Sequence, residues 1–406
     1  MLISVVCCYL ERGKQMELAK AYDCTGCGAC EQKCPQKAIF FADDHEGFPT
    51  PHIQKEKCIE CGLCNKVCPA INMPKTNPIK EAYAVQLLDK SALRESTSGG
   101  VFSALAKEIL SRGGVVYGCI WSKDCKAVVC SADTEKGIKP MHGSKYVWSW
   151  AGDTFPEIKN CLERGTSVLF SGLPCQAAGL RNFLGKEYDN LFILSFFCGG
   201  APSPLAFHKY LRTIAKNIPL SHLDFKFRDK TKEGVGIHIS YNTKYKRKYE
   251  SYVANSYFYS YAQKTCHRLS CYHCQYRYKD RIEDITMGDY WGIEKYHSEF
   301  DVNDGVSAVL INSNKGQSLF KAASKDLKVS VTDINNIARG NNLTLGETRV
   351  EFNIPEFREE FFRTLKEYGW RTADRKYLWD MERTRLWVRS VIPKNIKRVL
   401  KKLGFH

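Results

Sequence analysis

The chain has 406 residues, a hydrophobic share of 44% and an aromatic share of 12%, which fit two or three folded domains and exclude a disordered protein. No apolar run approaches the roughly 18 residues that a membrane-spanning helix needs. The formal net charge is +16, but no zinc-finger, RNA-binding or P-loop pattern accompanies it, so we expect no nucleic-acid partner.

The N-terminal segment and the cysteine content indicate the compartment. The segment MLISVVCCYL has no basic residue ahead of its apolar run and no cleavage site, so no signal peptide is predicted. Nineteen cysteines without an export signal indicate metal ligation in a reducing cytoplasm and not a disulfide framework. Because Met16 would also start the chain ahead of the first cysteine run, residues 1–16 are interpreted as a leader outside the working protein.

Residues 17–75 contain the repeat C-x2-C-x2-C-x3-C-P, first as CTGCGACEQKCP and then as CIECGLCNKVCP, and end in the linker NMPKTNP. Three thiolates of each run can wrap around one [4Fe–4S] cluster, while the fourth reaches the other cluster. The predicted ligand sets are Cys24, Cys27, Cys30 with Cys68, and Cys58, Cys61, Cys64 with Cys34. Zinc sites do not use this spacing with a trailing proline, so we predict a small dicluster ferredoxin-like domain that passes single electrons.

Residues 80–340 form the predicted central domain. Buried strands are predicted at EAYAVQLL, GVVYGCIW, TSVLFSG and NLFILSFFCG, and an amphipathic helix at VFSALAKEILSRG that ends at Gly113. This alternation predicts an α/β fold with a largely parallel sheet. Further strands are predicted at GIHISYNT, DITMGDYWGI and VSAVLINS, so the class is mixed α/β and α+β.

Four cysteines outside the runs have neighbours that suggest a function. Cys175 in SGLPCQAAGL and Cys198 in FFCGGAPSP each follow a predicted strand, and Cys271 and Cys274 form a CxxC pair in LSCYHCQYR. Ligands bind at adjacent strand carboxyl ends in an open α/β sheet, so the four predict a third [4Fe–4S] cluster. Buried structural cysteines, or a zinc or redox dithiol site at the CxxC pair, are the alternatives.

A chain of single-electron carriers needs a converter to handle hydride, and flavin is the usual one. No GxGxxG pattern follows a strand, but STSGGVFSAL places small residues at the start of a predicted helix, an arrangement suited to a flavin phosphate or pyrophosphate. Helix capping by Ser98 is an equally good interpretation. In HGSKYVWSW, Lys145 is a candidate catalytic residue beside flavin or substrate, and a solvated surface lysine is the alternative.

Seven motifs in order resemble the family of coenzyme F420 hydrogenase/dehydrogenase β-subunits, in the form with a fused N-terminal dicluster ferredoxin domain. They are STSGG, GSKYVWS, SGLPCQAAGLRNFL, FFCGGAPSP, FKFRDKTKEG, SCYHCQYR and ITMGDYWGI. The resemblance implies FAD in the central domain beside a third cluster held by Cys175, Cys198, Cys271 and Cys274. It implies flavin neighbours at Ser98, Gly99, Gly100, Ser144, Lys145, Tyr146, Gly172, Pro174 and Gln176.

The sequence departs from this family at two places. The family commonly has Gly-Thr-Pro-Cys where this chain has Gly-Leu-Pro-Cys at 172–175, and Cys-His-Gly where this chain has Cys-Gly-Gly at 198–200. If the family's histidine is a proton donor or substrate contact, the usual substrate does not carry over to this chain, whereas the cluster ligands are unaffected.

Residues 345–406 are predicted to be a mostly helical extension with a basic amphipathic end, PKNIKRVLKKLGFH. One helical face would carry Ile396, Val399, Leu400 and Leu403, with lysines and arginines around the rest. Such a helix can make peripheral contact with the anionic inner face of a membrane. Packing on its own domain with a solvated basic face is the favoured alternative.

Three hypotheses follow for function. In the first, a ferredoxin-like donor sends electrons through the clusters to FAD, which reduces a small molecule or a lipid-linked sugar, as in the surface-polysaccharide synthesis that the resemblance implies. In the second, reduced F420 or another hydride donor reduces FAD, and the dicluster domain feeds a partner redox subunit. In the third, the chain is an electron-transfer or assembly protein without a substrate, and the CxxC pair holds zinc.

Overall fold

The computed structural model describes residues 17–230, 238–252, 254–341, 344–346 and 349–392. The predicted leader and the predicted basic end, including Ile396, Val399, Leu400 and Leu403, lie outside the described residues. Within the described ranges, no helix combines the length and the apolar character that crossing a bilayer requires.

The two cysteine runs fold alike around a small hairpin. Strands β1 (Ile39–Asp43) and β2 (Pro49–Ile53) pair antiparallel between the runs. Each run forms a loop that leads into one short helix, α1 (Ala29–Lys33) or α2 (Leu63–Val67). Both helices begin after a left-handed glycine, Gly28 with φ 83° and Gly62 with φ 73°, because no other residue adopts this turn without strain.

The rest of the described chain contains eleven strands. They are β3 (Glu81–Leu87), β4 (Val115–Trp121), β5 (Ala127–Ala132), β6 (Val168–Ser171), β7 (Leu191–Phe196), β8 (Phe225–Phe227), β9 (His238–Asn242), β10 (Arg247–Ser251), β11 (Ile285–Asp289), β12 (Ser307–Ile311) and β13 (Leu327–Val331). Eight of them form one sheet in the order β13-β3-β12-β11-β7-β6-β4-β5, and β10-β9-β8 form a second, antiparallel sheet.

The predicted parallel sheet is present only at the centre of the large sheet. Strands β4, β6, β7 and β11 pair in parallel, whereas β5 at one end and β12, β3 and β13 at the other pair antiparallel. Each segment predicted as a strand contains an observed one, although the predictions at NLFILSFFCG and DITMGDYWGI extend three and four residues too far. The antiparallel pairing of the outer strands was not predicted, because pairing direction depends on distant segments and not on local pattern.

Twelve further α-helices are described. They are α3 (Lys90–Glu95), α4 (Val101–Ser111), α5 (Glu135–Ile138), α6 (Thr154–Glu163), α7 (Pro174–Leu184), α8 (Pro204–Ala215), α9 (Ser256–Ala262), α10 (Asn314–Ala323), α11 (Ile334–Gly340), α12 (Arg358–Tyr368), α13 (Trp370–Ala373) and α14 (Met381–Val391). The predicted amphipathic helix is α4, and it ends before the left-handed Gly113 as expected.

The helices cover both faces of the large sheet. Alternate residues of a strand point to opposite faces, so Leu169 packs with the core under α4 and α10, while Phe170 packs with the core under α6 and α7. A third core joins α8, the small sheet and α12 around Phe207, Phe225 and Phe361. The α12 segment is therefore an integral part of the fold.

A buried ion pair ties the N-terminal hairpin to α12. Glu46, in the β1–β2 turn, is 4% exposed, and Arg358, at the start of α12, is 5% exposed. Arg358 Nε donates to Glu46 Oε1 at 2.6 Å, and other guanidinium nitrogens donate to the Tyr272 hydroxyl at 2.7 Å and to the His267 carbonyl at 2.6 Å. One guanidinium thus joins the cysteine-run region, the segment that leads to the CxxC pair and the C-terminal helices.

Replacement of Arg358 by methionine is expected to lower the free energy of unfolding by about 3–5 kcal/mol, because the Glu46 carboxylate would stay buried without a partner. The measurement is anaerobic urea unfolding of the holoprotein. Arg363→Met is the matched control on the same helix, since Arg363 pairs with Glu360 while its side chain is 62% exposed, and a loss below about 1 kcal/mol is expected. Equal losses in the two variants would contradict the assigned role of the pair.

Candidate metal centres and cofactor cavity

Each predicted ligand set of the cysteine runs lines a single cavity. The first set lies around a cavity of about 400 Å³ and the second around a cavity of about 370 Å³. Cys64 lines both cavities, so the two are neighbours. This is the arrangement that crossed ligation of two clusters requires, although the assignment of individual ligands stays a prediction.

The environment of these thiols fits a metal. Cys27 is buried, and burial raises its pKa to about 12, with Cys24 and Cys68 adding smaller increases. Burial likewise raises the pKa of Cys30 above the usual range. Thiolates in such an environment are stable only beside a compensating cation, and iron supplies it. The donor set therefore suits a metal cluster and not a group of free thiols.

The two runs differ in what covers them. Gly26 in the first run and Glu60 in the second occupy equivalent positions and both have left-handed backbones, with φ of 69° and 52°. A Cβ atom on Gly26 would lie 2.9 Å from Arg268 Nη1 and 3.0 Å from the Trp148 ring, whereas Glu60 is exposed. Arg268 Nε also donates to the Cys24 carbonyl at 2.7 Å. The first run is thus docked on the central domain, and the second faces outward with Cys61 exposed.

The four later cysteines converge. Cys175 lies in the first turn of α7, and Cys198 follows the end of β7, the parallel neighbour of β6. Together with Cys271 and Cys274 they line one cavity of about 1070 Å³. Burial raises the pKa of Cys175 far above its usual value, and the nearby Cys198, Cys274 and Cys271 raise it further. Four partly buried cysteines around one cavity fit a third metal centre, and the assignment of its ligands stays a prediction.

The first and third cysteine sets are adjacent. A Cβ atom on Gly179 of α7 would lie 2.8 Å from Cys27 Sγ, so helix α7 packs directly against the first run. Cys27 is also among the groups that raise the pKa of Cys175. Tyr276, 6% exposed, has its pKa raised by burial and then by both of these cysteines, so its ring lies beside both.

A larger cavity of about 1950 Å³ adjoins the third cysteine set. The two cavities share Leu173, Cys198, Gly200 and Ala201 in their linings. The large cavity lies where β4, β6, β7 and β11 end, the carboxyl edge at which open α/β sheets bind ligands. Any group bound there would be close to Cys198.

Seven of the nine residues expected around a flavin line this large cavity. They are Ser98, Gly100, Ser144, Lys145, Tyr146, Gly172 and Gln176. Pro174 instead lines the cavity of the third cysteine set. Gly99 lies against the sheet, where its N–H donates to Ser307 Oγ at 2.9 Å, so that group is not available to a ligand.

The start of α4 opens onto the large cavity without a side-chain cap. Gly100, with φ 80°, precedes the helix, and Val101 and Phe102 line the cavity. Ser98 Oγ donates to the Val306 carbonyl at 3.1 Å, so Ser98 does not cap the helix. The uncapped N–H groups leave a helix terminus at which an anion binds favourably.

The ammonium group of Lys145 organises the loop beside the cavity. Its Nζ donates to the carbonyls of Pro140, Met141, His142 and Gly143 at 2.9–3.1 Å. Burial lowers the pKa of Lys145 to about 8, and the nearby Cys119 partly opposes this decrease. The side chain therefore holds the loop together, and its catalytic role stays a prediction.

The missing histidine of the Cys-Gly-Gly segment has a steric explanation. A Cβ atom on Gly199 would lie 2.4 Å from the Tyr261 hydroxyl, and one on Gly200 would lie 2.2 Å from the ring of His267. Gly200 also has φ 117°, a conformation that side chains rarely adopt. A side chain at either position would therefore require Tyr261 or His267 to move.

Sequence reasoning missed an ion pair in the large cavity. Arg228, with φ 53°, pairs with Asp289 through both guanidinium nitrogens, and Arg228 also lies over the Trp291 ring. The motifs FKFRD and GDYW contain these residues, but the pairing joins segments 61 residues apart. No local pattern could have revealed it.

Two family descriptions match this chain. Residues 165–337 match the C-terminal part of the family described as "Coenzyme F420 hydrogenase/dehydrogenase, beta subunit". Residues 23–71 match the family described as "4Fe-4S dicluster domain". The resemblance found in the sequence is thereby confirmed for both parts, and the N-terminal part is an iron–sulfur domain.

Curated relatives match over part of their length. The coenzyme F420-dependent sulfite reductase of Methanocaldococcus jannaschii is 26% identical over 201 residues, covering 49% of this chain and 31% of the relative. A protein of Methanosarcina mazei, named as an F420H2 dehydrogenase subunit, is 22% identical over 174 residues, covering 39% of this chain and 47% of the relative. The matches thus span less than half the length of either relative.

Among solved structures, the F420-reducing [NiFe] hydrogenase complex of Methanosarcina barkeri contains a similar chain. The superposition has a TM-score of 0.42 and 16% identity, and it covers 66% of this chain and 91% of that chain. This similarity is too low to show a common fold.

Exchange of the equivalent residues of the two runs tests the docking. Gly26→Glu is expected to lower the free energy of unfolding by about 2 kcal/mol or more. A residue with a Cβ in a left-handed backbone conformation costs about 1 kcal/mol, and overpacking against Arg268 and Trp148 costs about 1–3 kcal/mol. The reciprocal control Glu60→Gly adds no atoms, so we expect little change. Anaerobic urea unfolding followed by cluster absorbance measures both, and a stable Gly26→Glu protein would contradict the docking.

Proposed function

We propose that this chain is an iron–sulfur flavoprotein oxidoreductase. The proposal starts from the match of residues 165–337 to the family of coenzyme F420 hydrogenase/dehydrogenase β-subunits. Electrons from a ferredoxin-like donor would enter at the second cysteine set and continue through the first and third sets. They would leave at FAD in the large cavity, where an organic substrate is reduced. The substrate class proposed is a small molecule or a lipid-linked sugar.

The adjacency of the four sites is the observation that carries this proposal. The cavities of the second and first sets share Cys64 in their linings. The first set meets helix α7 of the third set at Cys27 and Gly179, and Cys198 of the third set lines the large cavity. Single electrons move efficiently only between neighbouring centres. A continuous series from an exposed cysteine, Cys61, to an interior cavity is what electron delivery to a bound cofactor requires.

The residues of the large cavity suit FAD in three respects. The cavity extends from the start of α4, where N–H groups without a side-chain cap suit a phosphate, to Cys198 of the third cysteine set. Tyr146, Phe258 and Tyr261 line it and contact one another, with ring centroids 4.8–5.5 Å apart. When bound, a flavin exchanges hydride with an organic molecule and single electrons with a cluster.

Protein groups near the cavity would position the substrate. The Arg228–Asp289 pair presents hydrogen-bonding groups of both kinds with little net charge, and Trp291 is 42% exposed beside it. A neutral molecule with several hydroxyl groups suits such a surface better than a strongly charged one, because a charged ligand would have to compete with the ion pair. This supports an uncharged polar substrate.

A second candidate function reverses the electron flow. Both curated relatives are named for coenzyme F420, and one is named as part of a dehydrogenase. By analogy, reduced F420 would give hydride to the bound flavin, and the exposed second cysteine set would pass electrons to a redox partner.

Anaerobic mixing separates the two functions. Bleaching of flavin and cluster absorbance by reduced F420 would favour the second function. Bleaching only by reduced ferredoxin would favour the first function.

Metal and flavin analysis of an anaerobically purified protein tests the third centre. We expect about twelve irons and one FAD per chain, because three cubane clusters contain four irons each. Cys274→Ala should leave about eight irons. Cys161→Ala is the matched control, since Cys161 lies outside all three sets, and it should keep the wild-type iron content. About eight irons with zinc and no flavin in the wild type would overturn the proposal.

Lys145→Met is expected to raise the Kd for FAD by about tenfold, or about 1.4 kcal/mol, because the 140–143 loop would lose its ammonium anchor. Flavin fluorescence during anaerobic titration measures the affinity. The exposed Lys139 on the same loop provides the control variant Lys139→Met, which should bind FAD normally. Normal FAD binding by Lys145→Met without reduction of the flavin would instead assign Lys145 the predicted catalytic role.

A further inference from the structure

We propose that Arg277 contacts the third [4Fe–4S] cluster, donates hydrogen bonds to its sulfur atoms and makes that cluster easier to reduce. The inference rests on the third cluster of the proposed function. It concerns a residue to which neither the family descriptions nor the resemblance assigns a role.

The position of Arg277 places it at the cluster site. It follows Cys274 by three residues, and its backbone N–H donates to the Cys274 carbonyl at 3.4 Å. The side chain lines the cavity formed by the four later cysteines, and the residue is only 2% exposed. The guanidinium is therefore enclosed with the cysteines.

The hydrogen bonds of Arg277 are incomplete in the protein alone. Nη2 donates to the Gly199 carbonyl at 3.3 Å, but Nε and Nη1 are buried and have no acceptor among the described residues. A buried N–H group of a charged side chain that stays unpaired costs about 1–3 kcal/mol or more. Thiolate and sulfide atoms of a cluster are acceptors for such groups. A cluster in this cavity would supply the missing partners.

The charge of Arg277 is likewise uncompensated. Within the described part of the chain no carboxylate accepts a hydrogen bond from it, and the face of its guanidinium lies 4.5 Å from the centroid of the Phe352 ring. A Cβ atom on Gly200, two residues after Cys198, would lie 3.4 Å from Arg277 Nη2, so the guanidinium lies beside the Cys198 segment. The nearby Lys264 also lies over the Phe352 ring. Phe352 thus shields one side of Arg277, and the cysteine cavity lies beside it.

This arrangement affects the reduction potential. Each electron that the third cluster accepts from the first adds one negative charge in a buried site. A fixed positive charge and N–H donors stabilise that extra charge more than they stabilise the oxidised cluster, so they raise the potential. No proton transfer is required.

The first variants to compare are Arg277→Gln, which removes the charge, and Arg277→Lys, which keeps the charge but loses the planar donors. The measurement is an EPR-monitored redox titration of anaerobic holoprotein, with the third-cluster signal identified by its loss in Cys274→Ala. We expect the midpoint potential of that signal to shift to more negative values, most in Arg277→Gln and less in Arg277→Lys. Arg371→Gln, at an exposed position on α13, is the control for loss of one positive charge and should leave the potential unchanged.

The outcomes separate this inference from the proposed function. About eight irons in the wild type would show that the third cluster is absent, and the proposed function would fail with it. A wild type with about twelve irons and unshifted potentials in both variants would overturn only the role of Arg277. If Arg277→Gln loses iron, the midpoint potential of the third-cluster signal in Arg277→Lys tests the tuning role instead. Loss of four irons from both variants would make Arg277 a residue required for cluster retention, and it would also overturn the tuning role.

Discussion

The packing of helix α7 against the first cysteine run is the contact on which the rest of the site depends. Gly179 lets Cys27 approach so closely that no side chain would fit between them. The same helix carries Cys175 in its first turn. One rigid helix therefore sets the separation of the first and third cysteine sets, because it contacts one and contributes a ligand candidate to the other.

Buried charged side chains stabilise this contact. Arg268 covers the first run, and Arg358 binds Glu46 in the hairpin between the two runs. Both arginines are buried: Arg358 pairs with a carboxylate, whereas Arg268 donates to the Cys24 and Pro49 carbonyls and keeps one nitrogen, Nη1, without an acceptor among the described residues. Helix α12 therefore contacts the hairpin of the iron–sulfur region, although Arg358 and Glu46 are 312 residues apart in the chain.

The sheet determines where the cofactor cavity lies. The parallel strands β6 and β7 end side by side, so the turns that follow them bring Cys175 and Cys198 together. Across the same edge, β11 contributes Asp289 to the large cavity. In this way the fold places the third cysteine set between the docked first run and the cavity, and Arg277 lies inside that junction.

The sequence by itself determined local features: the spacing of the two cysteine runs, seven of the thirteen described strands, helix α4 and the positions of Cys175 and Cys198 after successive strands, because spacing and periodicity are short-range properties. It also led to the two family descriptions that residues 165–337 and 23–71 match. Only the tertiary structure decided the antiparallel outer strands, the difference between Gly26 and Glu60, the loop-holding contacts of Lys145 and the unpaired nitrogens of Arg277. Each of these depends on a residue that is distant in the chain or on a buried polar atom without a partner. The physical reason is that burial and contact are properties of the packed chain and not of its local pattern.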